Sequence, residues 1–322
     1  MSDRNPELAL SAATAVAHPN IALVKYWGKQ GKPGNIPATP NLSITLGTLR
    51  TETTVKPAET DQITLNGKVV GDPKISQYLA TLRDEFPIPP LSIDSKNNFP
   101  TGAGLASSAS GFAALTHAID ALCGLDMDPE TQSGWARQGS ASAARSLMGG
   151  YVALTPPMWM AQQLAPAEHW PLAVVVAICD TGKKSVGSTE GMQRSRATSP
   201  FFSNWVENAA DDFANASDAI AQKDFAQLAA VSELSCLKMH SVMLTSQPTL
   251  AYWLPATIAA MECIRQLRSN GTPVFFTIDA GPQVKAVCLP EAVNEVAEAL
   301  ANTAGVLNTL RCSLGPGAYL VE

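Results

Sequence analysis

The stretch Pro100-Thr-Gly-Ala-Gly-Leu-Ala-Ser-Ser-Ala-Ser-Gly111 lies between two segments with different sequence patterns. The segment before it, Leu91–Ser95, is predicted to be a strand. After it, apolar residues recur at three- or four-residue spacing from Phe112 to Leu122, which predicts a helix. A glycine-rich turn between a strand and a helix is a context in which backbone N–H groups bind phosphate. The stretch therefore predicts a strand–loop–helix unit suited to phosphate.

The residue types within this loop fit that chemistry. Gly102 and Gly104 lack the Cβ atoms that would keep phosphate oxygens away from the backbone. Ser107 and Ser108 fall where the helix presents free N–H groups and the positive end of its dipole. No lysine follows, which excludes a Walker A loop, and the third glycine of a dinucleotide fingerprint is absent. The alternative is a Gly/Ser turn that only caps a core helix.

Acidic residues are missing from three stretches of an otherwise acidic chain. The net charge is −6, yet residues 8–51, 95–119 and 131–167 contain no aspartate or glutamate. The basic residues in these stretches are Lys25, Lys29, Lys32, Arg50, Lys96, Arg137 and Arg145. This distribution predicts one electropositive pocket for an anion. Chance depletion of charge in an alanine-rich chain is the alternative.

Composition excludes several classes of protein. With 46% hydrophobic and 16% charged residues, the 322-residue chain is predicted to fold into a globular protein. The acidic net charge argues against a nucleic-acid binder. The longest apolar run, Leu172–Cys179, is too short to cross a bilayer, and no secretory signal is recognisable at the N-terminus. Six scattered cysteines and four histidines show no metal-binding spacing, which favours reduced thiols and a cytoplasmic location.

A second motif, Asn20-Ile-Ala-Leu-Val-Lys-Tyr-Trp-Gly-Lys29, contains two lysines near the end of a predicted strand. Lys25 is expected on the face opposite Tyr26, and Gly28 permits a turn that brings Lys29 back. Two ammonium groups at this spacing suit a diphosphate, or a pyrophosphate and a carboxylate. The alternative is a strand end with solvated lysines.

A third motif, Ala136-Arg-Gln-Gly-Ser-Ala-Ser-Ala-Ala-Arg-Ser-Leu147, is rich in small residues. Gly139 is predicted to end one helix and Ser140 to cap the next. Ser142 and Arg145 then share a helix face, where the planar guanidinium suits a carboxylate or phosphate. A small-residue helix packed closely on a sheet is equally compatible with the pattern.

Asp279 is a single acid at the end of a predicted strand. It follows Val274–Ile278, precedes a Gly-Pro turn, and is the only acid between Glu262 and Glu291. A carboxylate in this position either forms the turn or serves in acid–base chemistry.

The order of elements predicts an α+β fold. Strands dominate the first half, residues 203–270 are helical in pattern with breaks near Lys223 and Pro248, and strands return afterwards. We expect two lobes, residues 1–190 and 191–322, with the phosphate loop in the first and Asp279 in the second. The expected strands are Ala15–Tyr26 with a break at Pro19, Leu42–Leu49, Thr53–Lys56, Gln62–Leu65, Leu91–Ser95, Leu172–Asp180, Val274–Ile278 and Tyr319–Val321.

Five stretches in matching order resemble the diphosphomevalonate decarboxylase family. They are NIALVKYWGK, NNFPTGAGLASSASGFAAL, ARQGSASAARSLMGG, STEGM and TIDAGP, spread over residues 20–282. This family belongs to the superfamily of galactokinase, homoserine kinase, mevalonate kinase and phosphomevalonate kinase (GHMP). The resemblance implies a two-lobed GHMP-kinase-like fold of mixed and antiparallel sheets packed with helices. It also implies an active site in the cleft between the lobes.

The resemblance implies roles for individual residues. Asp279, Lys25 and Arg145 match catalytic positions: the proposed catalytic aspartate, the lysine beside the reacting hydroxyl, and the arginine that positions the substrate carboxylate. The implied substrate-binding residues are Tyr26, Trp27, Gly28, Lys29, Lys74, Ser140, Ala141, Ser142, Ala143, Ala144, Arg145 and Thr189. The implied ATP-phosphate-binding residues are Gly102, Ala103, Gly104, Leu105, Ala106, Ser107 and Ser108. Lys74 lies where relatives often have an arginine, so charge is kept but the two-pronged donor is lost.

The implied reaction is the ATP-dependent decarboxylation of mevalonate 5-diphosphate to isopentenyl diphosphate, with phosphorylation of the C3 hydroxyl before phosphate and CO₂ leave. ATP is the co-substrate, and Mg²⁺ is expected on the ATP phosphates and on Ser107 or Ser108. The family also suggests a homodimer with no nucleic-acid or membrane partner.

Two other functions stay open on the sequence. Residues 36–43 lack the Asn-Ser-Ser that relatives usually have, so the substrate is either the 5-diphosphate or the 5-monophosphate of mevalonate. A kinase of the same superfamily that acts on mevalonate or its 5-phosphate is the nearest alternative. A non-catalytic ligand-binding member is a further one, although the presence of Lys25, Arg145 and Asp279 together argues against it.

Overall fold

Three β-sheets organise the chain in the computed structural model, which describes residues 8–99, 107–182 and 184–321. The strands are β1 (Ala13–Ala17), β2 (Asn20–Val24), β3 (Asn41–Thr45), β4 (Thr51–Pro57), β5 (Gln62–Leu65), β6 (Lys68–Val69), β7 (Leu91–Asn97), β8 (Tyr151–Leu154), β9 (Ala161–Ala165), β10 (Ala173–Ile178), β11 (Val274–Ile278), β12 (Val284–Cys288), β13 (Asn308–Ser313) and β14 (Tyr319–Leu320). The helices are α1 (Pro73–Arg83), α2 (Ser107–Cys123), α3 (Pro129–Gly139), α4 (Ser188–Thr198), α5 (Phe202–Gln222), α6 (Phe225–Leu244), α7 (Pro255–Ser269) and α8 (Val293–Ala301), with 3₁₀ helices at Ala141–Leu147 and Pro290–Ala292.

The sheets differ in strand order and direction. The first has the order β14-β1-β4-β7-β5-β6 and is mixed, because β5 and β7 run parallel. The second, β2-β3-β8-β9, and the third, β11-β12-β10-β13, are antiparallel. Helices α1 and α2 cover the first sheet with their apolar faces. The α+β class predicted from the sequence, with mixed and antiparallel sheets packed with helices, is confirmed.

Strand β10 shows why an uninterrupted apolar run was a reliable signal. Val174, Val176 and Ile178 pack into one core with β2, β3, α5 and α6. Ala173, Val175 and Ala177 face the opposite way, into a core with α7 and α8. Because successive side chains point to opposite faces, a strand covered on both sides must be apolar at every position.

Several predicted boundaries are confirmed. The bounds of β5 and β11 agree with those expected, and the break in the long helical region falls at Lys223, whose φ of +57° ends α5 in the left-handed conformation. The residues Asp128-Pro129-Glu130 predict the start of a helix, because aspartate suits the N-cap and proline the first turn. α3 begins there, and Asp128 accepts a hydrogen bond from the Thr131 backbone N–H.

The sequence patterns missed five strands and one helix. β6, β8, β9, β12 and β13 have only two to six residues each, and α4 is mostly polar, so none shows a long apolar period. The predicted strand Leu42–Leu49 was too long, because β3 ends at Thr45. These elements are held by their tertiary neighbours rather than by local preference.

The proposed division at residue 190 stays a prediction. β10 precedes residue 190 and pairs with β12 and β13, whereas β14 at the end of the chain pairs with β1. Among the described residues, no helix is both long and apolar enough to cross a membrane.

Candidate functional site

Two lysines hold the carboxylate of Asp279. Lys25 Nζ lies 2.6 Å from Asp279 Oδ1, and Lys285 Nζ lies 3.2 Å from Oδ2. The lysine side chains are 1% and 2% exposed, and that of Asp279 is 33% exposed. Burial alone would raise the pKa of Asp279, but the two ammonium groups outweigh it and hold this pKa well below its usual range. The site therefore presents an ionised carboxylate to its surroundings.

The arrangement of the strands brings Asp279, Lys285 and Lys25 together. In the antiparallel pair of β11 and β12, Thr277 lies opposite Lys285, and Asp279 is two residues further along the chain. Opposite residues in a sheet share a face, as do residues two apart in a strand. Thr277, Lys285 and Asp279 therefore lie on the same face of this sheet. The backbone N–H of Lys25, just after β2, donates to Ser235 Oγ of α6 at 3.0 Å, and Thr277 Oγ1 donates to the Ala22 carbonyl at 3.2 Å.

Arg145 is buried among neutral oxygen atoms. Its Nε donates to Ser43 Oγ at 2.9 Å, Nη2 to Asn20 Oδ1 at 3.2 Å, and Nη1 to Asn41 Oδ1. Burial lowers its pKa to about 10, partly opposed by Asp279, and the group stays protonated near neutral pH. No carboxylate in the described part of the chain lies within ion-pair distance of Arg145. The guanidinium is thus a fixed positive charge suited to an external anion.

Lys29 is fixed by a loop. Gly28, with φ of +107°, turns the chain near the end of the second motif as expected. The ammonium group of Lys29 then donates to Asn35 Oδ1 at 2.6 Å and to Thr189 Oγ1 at 3.4 Å. Burial, followed by the charge of Lys74, lowers the pKa of Lys29. Lys29, Lys74 and Thr189 therefore lie close together, as a diphosphate subsite requires.

Tyr26 and Trp27 have different surroundings. The Tyr26 hydroxyl is buried and has no hydrogen-bond partner among the described residues. Burial raises its pKa, so it stays a neutral donor. The indole N–H of Trp27 donates to Ser195 Oγ at 2.9 Å, and the ring packs with Met192 and Trp205 in a buried cluster. Trp27 thus anchors α4 beside the site.

These residues surround a cavity of about 670 Å³. The predicted site residues that line it are Tyr26, Trp27, Lys29, Lys74, Ser107, Ser108, Ser140, Ala141, Ser142, Arg145, Thr189 and Asp279. Asp279 is the only acid in the described lining, where Lys29, Lys74, Arg145 and Lys184 are basic. The described lining is thus more basic than acidic, as the charge distribution predicted, but only partly through the expected residues. Of the seven basic residues in the three acid-free stretches, Lys29 and Arg145 line the cavity, and Lys25, Lys32, Arg50, Lys96 and Arg137 do not.

Some predicted site residues lie elsewhere. Lys25 and Gly28 do not line the cavity, and Lys25 contacts it only through Asp279. Ala143 and Ala144 are fully buried and pack in the core. Gly102, Ala103, Gly104, Leu105 and Ala106 lie outside the described residues.

The prediction that Ser140 caps a helix was wrong in its mechanism. Gly139 ends α3 as expected, but the next element is the 3₁₀ helix Ala141–Leu147, and the Ser140 side chain makes no capping hydrogen bond. Ser140 Oγ instead lies 3.2 Å from Ser142 Oγ. In a 3₁₀ helix residues three apart are eclipsed, so Ser142 and Arg145 still share a face.

Sequence analysis missed several residues of the site. Lys184 lines the cavity, where its Nζ donates to Ser188 Oγ at 2.6 Å and to the Ala280 carbonyl at 3.2 Å. Burial lowers its pKa, partly opposed by Asp279. Asn41 and Ser43 were also missed, because their partner Arg145 is more than 100 residues away in the sequence. Lys285 was missed because strand β12 was not predicted. A lysine in the apolar strand β12 was the one available signal for Lys285.

A smaller cavity of about 140 Å³ adjoins the first at Ser107 and Ser108. Both serines lie in the first turn of α2, whose N-terminus opens on the two cavities. Apolar side chains, including Ile63, Ile93 and Phe112, line the smaller cavity together with a few polar groups. A helix N-terminus between an apolar cavity and a basic one suits a phosphate-bearing molecule with a flat apolar part.

Taken together, the site defines a class of enzyme that transfers phosphate to a small anionic molecule. The "Diphosphomevalonate decarboxylase-like N-terminal domain" family model matches residues 17–159, and the "Mevalonate 5-diphosphate decarboxylase C-terminal domain" model matches residues 174–313. The chain belongs to the diphosphomevalonate decarboxylase family.

Individual relatives agree with this assignment. Diphosphomevalonate decarboxylase of Aspergillus fumigatus is 37% identical, over 94% of this chain and 81% of its own length. The diphosphomevalonate decarboxylase of Candida albicans is 39% identical, over 84% of this chain and 82% of its own length. A structure of MDDEF in complex with MVAPP, AMPPCP and magnesium superposes with a TM-score of 0.90 at 35% identity, covering 97% of this chain and 99% of that chain. Mevalonate diphosphate decarboxylase from Staphylococcus aureus gives 0.89 at 32% identity, over 97% and 98%.

Proposed function

We propose that this chain converts mevalonate 5-diphosphate and ATP to isopentenyl diphosphate, ADP, phosphate and CO₂. The observation that carries the proposal is the ionised Asp279 beside a cavity whose other charged lining residues are basic. A substrate with a carboxylate and a diphosphate needs such a cavity. Its neutral tertiary hydroxyl needs a hydrogen-bond acceptor.

The chemical difficulty is to expel a tertiary hydroxyl while the carboxylate fragments. Hydroxide is a poor leaving group and phosphate is a good one, so phosphorylation of the hydroxyl precedes loss of CO₂. Asp279 accepts the hydrogen bond of the hydroxyl, orients its oxygen toward the γ-phosphate and takes its proton as the new O–P bond forms and ADP leaves. Lys25, which contacts the cavity only through Asp279, adds positive charge beside that oxygen. This division of labour relies on positioning and electrostatics, as in other phosphoryl transfers.

The two anionic ends of the substrate bind to different groups, the carboxylate to Arg145 and the diphosphate to the lysines of the cavity. The buried fork of Arg145 suits the planar carboxylate, since two of its donors can approach both oxygens. Lys29, Lys74 and Thr189 suit the diphosphate. Because Lys74 is a point charge rather than a fork, it contributes charge more than orientation.

ATP is placed with its phosphates at the start of α2 and its base in the smaller cavity. Support comes from Ser107 and Ser108, which line both cavities at a helix N-terminus. Mg²⁺ would bind as part of Mg·ATP. The hydroxyls of Ser107 and Ser108 would supply oxygen ligands of the kind that Mg²⁺ prefers, and the ion would neutralise phosphate charge.

The test is a product analysis of the purified chain with mevalonate 5-diphosphate, ATP and Mg²⁺. Equal amounts of CO₂, phosphate and ADP are expected. ADP without CO₂ would indicate a kinase of the same superfamily, and turnover of mevalonate 5-phosphate in preference to the diphosphate would change the substrate. Binding of ATP and substrate without any product would indicate a non-catalytic member.

A cytoplasmic homodimer is proposed for the chain in its cell. Support for the compartment comes from its six cysteines, none of which forms a disulfide. Support for the dimer is the family resemblance alone. Light scattering on the purified chain should give twice the monomer mass, and fractionation of the source cells tests the location.

A further inference from the structure

We propose that Lys285 is a positioning residue for the reaction, which fixes the orientation and charge of the Asp279 carboxylate without contacting substrate. Lys285 Nζ lies 3.2 Å from Asp279 Oδ2, and Lys285 is not among the residues that line the cavity. The proposal rests on the proposed function, since it assigns Lys285 a part in the same reaction.

The burial of Lys285 is the first argument for this role. Every residue of β12 is buried, and Lys285 itself is only 2% exposed. Placing an ammonium group inside the protein costs free energy unless a charged partner offsets it, and an apolar side chain would fill the same space more favourably. Asp279 is a charged partner within reach, so the pair points to a purpose other than stability.

The second argument is that the two lysines bind different oxygens of one carboxylate. Lys25 takes Oδ1 from the end of β2, and Lys285 takes Oδ2 from β12. Contacts on both oxygens oppose rotation of the carboxylate about its Cβ–Cγ bond, which a single contact would allow. The lone pairs that remain toward the cavity then keep one direction relative to a bound hydroxyl.

The third argument is the charge around Asp279. The titratable groups that face it from the surrounding elements are Lys25, Lys285, Arg145, Lys184, His240 and Cys236. Burial lowers the pKa of His240 to about 3 and raises that of Cys236 to about 11, so both are neutral near pH 7. Within the described part of the chain, these charged neighbours are therefore all cations, and Lys285 is one of the two in direct contact.

A change at Lys285 therefore has a predictable pH signature. Asp279 works only when ionised, and its pKa is held low by the two ammonium groups, so its contribution persists until the pH falls far below neutral. Removing the charge of Lys285 raises this pKa toward its usual value. Activity is then lost at a higher pH on the acidic side, and the basic side is unaffected.

The experiment compares Lys285→Met with Lys285→Arg across pH 3–9, a range that reaches below the usual pKa of a carboxyl group. For Lys285→Met we expect kcat to fall about tenfold or more, KM values to stay within about twofold, and the acidic limb of kcat to lie at a higher pH than in the wild type. Lys285→Arg keeps the charge, so its acidic limb should stay where it is in the wild type, even if the bulkier side chain lowers kcat.

Lys238→Met is the matched control. Lys238 Nζ contacts the buried Asp212 at 2.8 Å, and neither residue lines the cavity. Like Lys285→Met, this variant removes an ammonium contact from a carboxylate, but one away from the cavity, so it should lower the melting temperature without moving the acidic limb. The proposal would be overturned if the acidic limb of kcat lay at the same pH in Lys285→Met and Lys285→Arg. It would also be overturned if this limb moved by the same amount in Lys238→Met.

A second measurement does not need turnover. The Asp279 carboxyl carbon can be followed by ¹³C NMR, with its signal assigned by loss in Asp279→Asn, in the wild type and in Lys285→Met or, if that variant does not fold, Lys285→Gln. An upward shift of its titration supports the role of Lys285, and an unchanged titration contradicts it. If the wild type releases no CO₂ while this shift is seen, the proposed function fails and the charge coupling stands.

Discussion

Lys25 and Arg145 are both buried cations beside the same cavity, but their partners differ. Lys25 contacts the carboxylate of Asp279 at 2.6 Å. Arg145 contacts only neutral oxygens, those of Asn20, Asn41 and Ser43. The first region holds a pair of opposite charges, whereas the second holds a positive charge that no carboxylate of the described chain neutralises.

This difference separates reaction from binding. A cation already paired with a carboxylate gains little from a substrate anion, so the Lys25 region suits the neutral hydroxyl where chemistry begins. A buried cation held by neutral oxygens is costly until an anion arrives, which supports the proposed role of Arg145 in binding the substrate carboxylate. The two regions should therefore respond differently to substitution, in kcat and in KM.

Asp279→Asn should have the largest effect. The amide keeps the shape of the side chain but loses the charge, so it neither neutralises the lysines nor accepts a proton. We expect kcat to fall by about 10²–10⁴, with ATP and substrate binding within a few-fold of wild type. Single-turnover kinetics and equilibrium binding on the same preparation measure both quantities.

The outcome for Asp279→Asn also tests the contrast between the two regions. Near-normal turnover would remove Asp279 from the mechanism. A large loss of substrate affinity with unchanged kcat would show that this region binds rather than reacts.

Arg145→Lys should have the next largest effect, and on binding. Lysine keeps the charge but cannot donate in the fixed planar geometry to substrate and to all three neutral oxygens. We expect kcat/KM for mevalonate 5-diphosphate to fall about 10²-fold, while KM for ATP stays close to wild type. A lower melting temperature with intact kcat/KM would instead assign Arg145 to bracing the 3₁₀ helix.

The sequence predicted more of the Lys25 region than of the surroundings of Arg145. Asp279 and Lys25 were singled out because each lies at a recognisable strand end inside a motif, and their catalytic roles came from the family resemblance. The partners of Arg145 were not, because Asn41 and Ser43 come from a strand more than 100 residues away, and no local pattern records such a pairing. Burial also depends on tertiary neighbours, so Lys285 was invisible as a site residue until β12 was placed beside β11.

Asn41→Leu tests whether the neutral oxygens matter for Arg145. Leucine has a similar shape and cannot accept a hydrogen bond, so one N–H of the buried guanidinium loses its partner. We expect about a tenfold loss of kcat/KM for the substrate and little change in KM for ATP. Asn98→Leu is a suitable comparison, since Asn98 donates to the Thr48 carbonyl away from the cavity. Equal kinetics in both variants would mean that Arg145 needs no orientation from Asn41.

Ser108→Ala should have the smallest effect, and it acts on the nucleotide rather than on either charged region. Ser108 is exposed in the first turn of α2 and lines both cavities. Alanine removes the hydroxyl but leaves the backbone N–H groups and the helix dipole, so KM for ATP should rise only about two- to fivefold. Ser110→Ala is the matched control, because its hydroxyl is buried against Thr51 Oγ1 at 2.6 Å, and its loss should lower stability without changing KM for ATP. If Ser108→Ala leaves ATP kinetics unchanged and Ser107→Ala does not, Ser107 is the serine that contacts the phosphates. Neither result would change the difference between the paired charge of Lys25 and the charge of Arg145 held by neutral oxygens, since both serines lie on the proposed nucleotide side of the cavity.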